Sequence, residues 1–190
     1  MGSNRFASVL TNFGYVLEMS RAFVRESDDS DEDLNIPIRA PLPPGVKNLI
    51  TPGGARRLQE ELAALLEKKR ELSRSPSDTP SSETEAQSRK IQLRIRQLQQ
   101  IADSMVITPP PTGSRDRVCF GAGVLVRHAN GQEATYRIVG IDEIDLDRNQ
   151  ISWRSPLARA LLSQRAGNRV QFDSPSGKDE LFVVSFSYES

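Results

Sequence analysis

The sequence predicts an α+β protein: an antiparallel helical hairpin followed by a small antiparallel sheet with one short helix. Three observations predict it. Between Thr51 and Met105, leucines and isoleucines recur at helical spacing on both sides of a polar break. After Pro109, Pro110 and Pro111 the pattern becomes short runs of β-branched and aromatic residues divided by turn signals. Within that region only "SPLARALLSQRAG" reads as a helix.

Residues 1–48 form an N-terminal extension. "FASVLTNFGYVL" after Arg5 lacks the longer clean apolar core and small-residue cleavage site of a signal peptide. It reads as an amphipathic segment, or as sequence upstream of a start at Met19. Next come Glu26, Asp28, Asp29, Asp31, Glu32 and Asp33, then "IPIRAPLPPG". Acids oppose burial and prolines oppose helix, so this arm is expected to be disordered or extended.

Residues 49–108 are expected to form the hairpin. Thr51 suits the N-cap and Pro52 the first helical position. Leu58, Leu62, Leu65 and Leu72 share one face. Gly53 and Gly54 each weaken the first turn by about 1 kcal/mol relative to Ala, which points to close packing against another element. Pro76 and Pro80 end the helix. A second helix is expected from about Ser82 to Met105, with Ile91, Ile95, Leu98, Ala102 and Met105 as a heptad-like stripe. Two one-sided helices joined by a short polar turn fold back on each other. They can project into solvent as a finger roughly 35 Å long.

A linker follows at 109–114, and residues 115–190 form the sheet domain. Asn130-Gly131, Arg148-Asn149 and Ser176-Gly177 mark its turns. Ser155 caps its helix, Pro156 opens it and Gly167 is expected to stop it. Tyr136, Ile138, Trp153, Phe172 and Phe182 are expected in the core.

Basic and acidic residues balance at 25 each, so net charge points to no polyanion partner. One cysteine, Cys119, excludes an internal disulfide and fits a reducing compartment. One histidine, His128, cannot build a Cys/His zinc site with it. No apolar run approaches the roughly 18 residues of a membrane span.

Three groups of residues carry candidate chemistry. The polar break "SRSPSDTPSSETEAQS" holds Asp78, Glu83 and Glu85 at the tip of the finger. They form either a solvated acidic loop or an acidic tip offered to a metal. Beyond it, Arg89, Lys90, Arg94 and Arg96 either touch nucleic-acid phosphates or form a solvated face. In the sheet domain, Asp142, Glu143 and Asp145 make an acidic turn that either pairs with a partner's basic groups or is solvated.

The basic finger, the Pro linker and the ordered motifs "VCFGAGVLV", "TYRIVGIDEID", "ISWRSPLARALL" and "PSGKDELFVVSF" resemble the bacterial transcript-cleavage factors of the GreA/GreB family. "TPGGARRLQEEL" fits its helical half through Thr51, Gly54, Leu58, Glu61 and Leu62. The resemblance covers Thr51 to Ser190. It implies an antiparallel coiled-coil finger and a C-terminal domain similar to FK506-binding proteins. It implies a partner, bacterial RNA polymerase, bound at the rim of its secondary channel, with the finger entering the channel and transcript RNA or DNA met only within the elongation complex. The resemblance implies that the turn Ser155, Pro156 and Leu157 meets the polymerase; with the neighbouring Arg154, and with Asp142 and Glu143 of the acidic turn, these are the expected polymerase-binding residues. It also implies no cofactor of the protein's own and no stably bound metal. In the family an Asp and a Glu three residues later help hold a second Mg²⁺ of the polymerase, which activates the water that cuts RNA.

The chain departs from that pattern. "SETEA" resembles the family's Ser-Glu-Asn-Ala element and would give Glu83 the Glu role, with Asp78 five residues away. Three residues after Asp78 stands Ser81. Arg154 replaces the usual Asp or Asn before Ser-Pro. Each arm of the finger is expected to be roughly two turns, about 10 Å, shorter than usual. The expected function is therefore an RNA polymerase-binding elongation regulator that modulates paused or backtracked complexes and stimulates cleavage if its tip reaches. The alternative is a short-fingered, Rnk-like channel binder that competes with cleavage factors. A distant alternative is a prolyl isomerase, which would need an aromatic-lined hollow that one Trp and three Tyr scarcely supply. The protein is expected to be a cytoplasmic monomer with no membrane or small-molecule partner and no enzymatic activity of its own.

Overall fold

The computed structural model describes residues 42–43, 45–74, 82–112, 116–174 and 177–188. Residues 1–41, with the acidic run and most of the Pro-rich arm, and Asp78 lie outside the described residues; at the end of the arm Val46 N–H donates to Pro43 O at 3.1 Å. In chain order the elements are β1 (Asn48–Ile50), α1 (Pro52–Arg74), α2 (Ser82–Ser104), β2 (Met105–Ile107), β3 (Ala122–His128), β4 (Glu133–Val139), a 3-10 turn (Ile141–Glu143), β5 (Gln150–Ser152), α3 (Pro156–Leu161), β6 (Arg169–Ser174) and β7 (Gly177–Tyr188).

The finger forms because two apolar stripes face each other. Leu58, Ile91, Ile95, Leu98 and Ile101 are buried, with Leu62, Leu65 and Ala102 partly covered. Ile101 is more buried than Ala102, its neighbour in the expected stripe, because the seam at the base also packs on Ile50 of β1. Each arm is 23 residues long, about 35 Å at the usual helical rise. Across the seam, Arg94 grips Glu61 with two bonds, Nε to Oε1 at 2.7 Å and Nη2 to Oε2 at 3.0 Å.

The base of the finger carries two strands that periodicity does not reveal. Asn48–Ile50 and Met105–Ile107 pair in parallel, Ile50 opposite Ile107. Met105 is thus in a strand, not at the end of a helix, and Asn48 belongs to the folded base, not to the extension. Three-residue strands are too short to show a period of two.

The second unit is a five-stranded sheet of order β5-β4-β3-β7-β6. It is mixed, not wholly antiparallel: β5 runs parallel to β4, with Ile138 opposite Ile151. The reversal follows because the chain leaves β4 through the 3-10 turn and a loop that returns it to the starting end. One face packs on α3 around Val124, Val126, Ile138, Ile151, Leu157, Ala158, Leu161, Leu181 and Val183. Tyr136 joins this core, and Trp153 and Phe172 flank it. Phe182 does not join it. It alternates with Leu181 and Val183 and so lies on the opposite sheet face. A bulge against Leu125/Val126 then shifts the phase. Phe186 and Tyr188, not Ser185 and Ser187, therefore lie against the core.

Local chemistry sets the turns. Gly131 takes φ +83° and Asn149 φ +53° at two of the three expected turns. Ser155 Oγ accepts from Ala158 N–H at 3.1 Å and caps α3. The helix stops at Leu161, well before Gly167. Ser163 at φ +67° turns the chain away so that Ser163 N–H donates to Val118 O and Val118 N–H donates to Gln164 O.

Candidate functional site

Of the tip acids, Glu83 and Glu85 stand exposed in the first turn of α2. Acids favour a helix N-terminus, so this placement is explained without a ligand. Residues two apart on a helix point about 200° apart, and these carboxylates diverge. No cluster of three or more metal-ligating side chains occurs among the described residues. The two described acids do not fit a shared ion as a pair.

The basic candidates on α2 separate. Arg94 is held by Glu61 and lies on the seam side of its helix. The guanidinium expected to face nucleic acid is thus engaged in holding the two arms together. Arg89 and Arg96 are exposed and Lys90 is half-buried. Arg89 Nε lies 3.5 Å from the Glu85 carbonyl.

The strand-to-helix turn Trp153–Leu157 is well braced. Trp153 N–H donates to Val139 O and Ser155 N–H to Ser152 O, both at 2.9 Å. Arg154 N–H donates to Ser152 Oγ at 3.2 Å. Arg154, Ser155 and Pro156 are each partly exposed and available to a partner. Leu157 is not: it is buried in the core beneath α3. Its place in the expected binding set is corrected, because the second helical residue after the cap points at the sheet.

Glu143 is corrected in the same way. It is only 7% exposed. Its Oε2 accepts from Thr51 N–H at 2.8 Å and from Gly140 N–H at 3.0 Å. Its Oε1 accepts from the Thr51 hydroxyl and lies 3.5 Å from Arg57 Nη2. Asp142 beside it accepts from Asn48 Nδ2 at 3.0 Å. The acidic turn therefore faces the finger base. Asp145 pairs with Arg148 at 3.4 Å.

Arg137 reflects this crowding. Burial pulls its pKa below the ordinary arginine value, and Arg57 pulls the same way, while Glu143 opposes them. Burial likewise lowers His128, opposed by Asp179. Sequence reasoning missed Asn48 and Gly140 in this cluster. The glycine pair after Thr51 was the available signal: a Cβ at Gly54 would overlap the Glu143 carboxylate.

Comparison with known proteins gives a consistent result. Residues 113–188 match the family model "Transcription elongation factor, GreA/GreB, C-term". The chain is 37% identical over 154 residues to transcription elongation factor GreB of Neisseria meningitidis serogroup A, covering 75% of this chain and 94% of that protein. It is 35% identical over 151 residues to GreB of Pseudomonas aeruginosa, covering 74% and 90%. It is 31% identical over 152 residues to GreA of Alkalilimnicola ehrlichii, covering 73% and 96%. Among solved structures, Thermus aquaticus Gfh1 is 26% identical over 74% of this chain and 97% of that one, at a TM-score of 0.35.

Proposed function

We infer that this chain, which belongs to the GreA/GreB family of transcription elongation factors, occupies the secondary channel of RNA polymerase with a shortened finger and competes there with cleavage factors. Factors of this family bind RNA polymerase and are accessories to it, not enzymes. The finer reading is that the sheet unit docks at the channel rim through Arg154, Ser155 and Pro156, while the finger enters without completing a metal site. The protein acts as a monomer in the cytoplasm, where polymerase works, and meets transcript RNA or DNA only inside the complex.

The length of the finger carries the reading. The 154 positions aligned with the Neisseria protein draw on only 75% of 190 residues, so about a dozen positions of that relative are missing here. The sequence reading places the shortening in the two helical arms, where a loss of this size, shared between them, takes about 9 Å from the finger. Ligands of Mg²⁺ must lie near 2 Å, and no side chain recovers that gap. The divergence of Glu83 and Glu85 supports the same conclusion. No cleavage step is assigned to the tip.

Transcript cleavage on stalled elongation complexes tests this. The wild-type protein is expected to give no stimulated cleavage and to inhibit an authentic cleavage factor in proportion to its occupancy. Robust cleavage by the wild-type protein, lost in Asp78→Asn or Glu83→Gln, would overturn the reading and restore the tip acids as Mg²⁺ ligands.

A further inference from the structure

Two successive residues of one 3-10 turn hold both arms of the finger. Glu143 takes the start of α1 through Thr51 N–H and the Thr51 hydroxyl. Thr51 Oγ1 in turn accepts from Gly54 N–H at 3.0 Å and caps the helix. Asp142 takes Asn48 Nδ2, and the same amide lies 3.3 Å from Ser104 Oγ at the end of α2. Asn48, Thr51 and Glu143 are the buried polar residues of the described chain, at 4%, 8% and 7% exposure. All three belong to this junction.

The approach is too close for any side chain on its two glycines. A Cβ at Gly54 would overlap the Glu143 carboxylate, and one at Gly140 would overlap the Leu49 carbonyl. Helix start, strand β1 and the sheet-domain turn are thus interlocked at van der Waals distance. Surface ion pairs tolerate many orientations, whereas a buried carboxylate with three donors allows few.

We propose that Asp142 and Glu143 position the finger: they set its direction relative to the sheet domain, so that a domain docked at the channel rim aims the helices inward. The proposal rests on the docking reading above and deepens it. Glu143 is a positioning residue, since its buried carboxylate is taken up by Thr51 and Gly140 inside the junction. A finger free to swing is correctly aimed for only a fraction of the time. If that fraction falls to about a tenth, the concentration needed to fill the channel rises about tenfold, while rim docking is unchanged.

The test uses the full chain with Cys119→Ser and nitroxide labels at Glu71→Cys and Gln171→Cys, exposed positions on the finger and on β6. Pulsed EPR is expected to give one narrow distance distribution. Glu143→Gln turns an amide N–H₂ toward the donors and is expected to broaden it. Gly54→Ala is expected to broaden or displace it by steric means, which guards against an effect peculiar to charge. Asp147→Asn, in the exposed loop nearby, is expected to leave it unchanged. In parallel, both junction variants should retain core polymerase within about threefold and need about tenfold more protein to displace a cleavage factor. A distribution that stays narrow and at the wild-type distance in both variants overturns the proposal, as does competition that falls only as far as binding. If the wild-type protein fails to bind polymerase, the docking reading falls, and the distance distributions still decide whether the clamp sets the finger.

Discussion

Gly140 and Gly131 both resist substitution, for different reasons. At Gly140 the obstacle is space: an added methyl meets the backbone of Leu49, which cannot rotate away. Gly140→Ala is expected to cost about 1–3 kcal/mol as overpacking. At Gly131 there is open space, but φ is +83°. Gly131→Ala is expected to cost about 1 kcal/mol through left-handed strain. Denaturant titration checks both, and an equal, negligible effect would refute the junction packing. His128 gives a pH signature. Burial holds its imidazole below the ordinary value, with Asp179 opposing. The unfolded chain then takes up the proton first, so this contribution to stability is present above about pH 6.5 and is lost as pH falls through the lowered value. Thermal melts between pH 7.5 and 5.5 should fall less steeply for His128→Gln than for the wild type.

Within the finger, one polar pair crosses an otherwise apolar seam. The Arg94–Glu61 fork is bidentate yet only partly buried, with side chains 29% and 44% exposed. A double-mutant cycle with Arg94→Ala and Glu61→Ala is expected to give a coupling of about 0.5–1 kcal/mol that shrinks in high salt. If Arg94 instead faced a phosphate in the complex, Glu61→Ala would strengthen polymerase binding, and the two single variants would act in opposite directions. At the same scale, the bulge in β7 decides which aromatics enter the core. Without it, Phe186 and Tyr188 would turn outward with every other side chain of that half-strand.

The described residues form two apolar clusters, one under the finger base and one in the sheet domain, joined by the polar junction. A fragment of residues 109–190 keeps all of the second cluster and is expected to unfold cooperatively by itself. Glu143→Gln separates the two units energetically. In the full chain it leaves a buried donor facing an amide N–H₂ and should cost about 2 kcal/mol. In the fragment Thr51 is gone, water reaches the side chain, and the cost should be about 0.5 kcal/mol or less. Urea titration of the four proteins measures this. Equal costs in chain and fragment would mean that the junction bonds contribute nothing across the interface.

Local pattern determined much of this protein. Thr51-Pro52, the leucine and isoleucine stripes and Ser155-Pro156 specify their helices because caps and periods act over a few residues. The ordered motifs from Val118 to Phe186 identify the family for the same reason: they are read along the chain. Tertiary structure decided the rest. The strands at 48–50 and 105–107 exist only because residues 57 positions apart meet at the finger base. Glu143 looks like one of three acids in a solvated turn until Thr51, from 92 residues away, supplies its donors. Leu157 and Phe182 exchange their expected roles because a helix cap and a strand phase set their directions. Composition shows that an acid is present; burial and the position of its donors depend on how distant segments pack, and no local spacing encodes that.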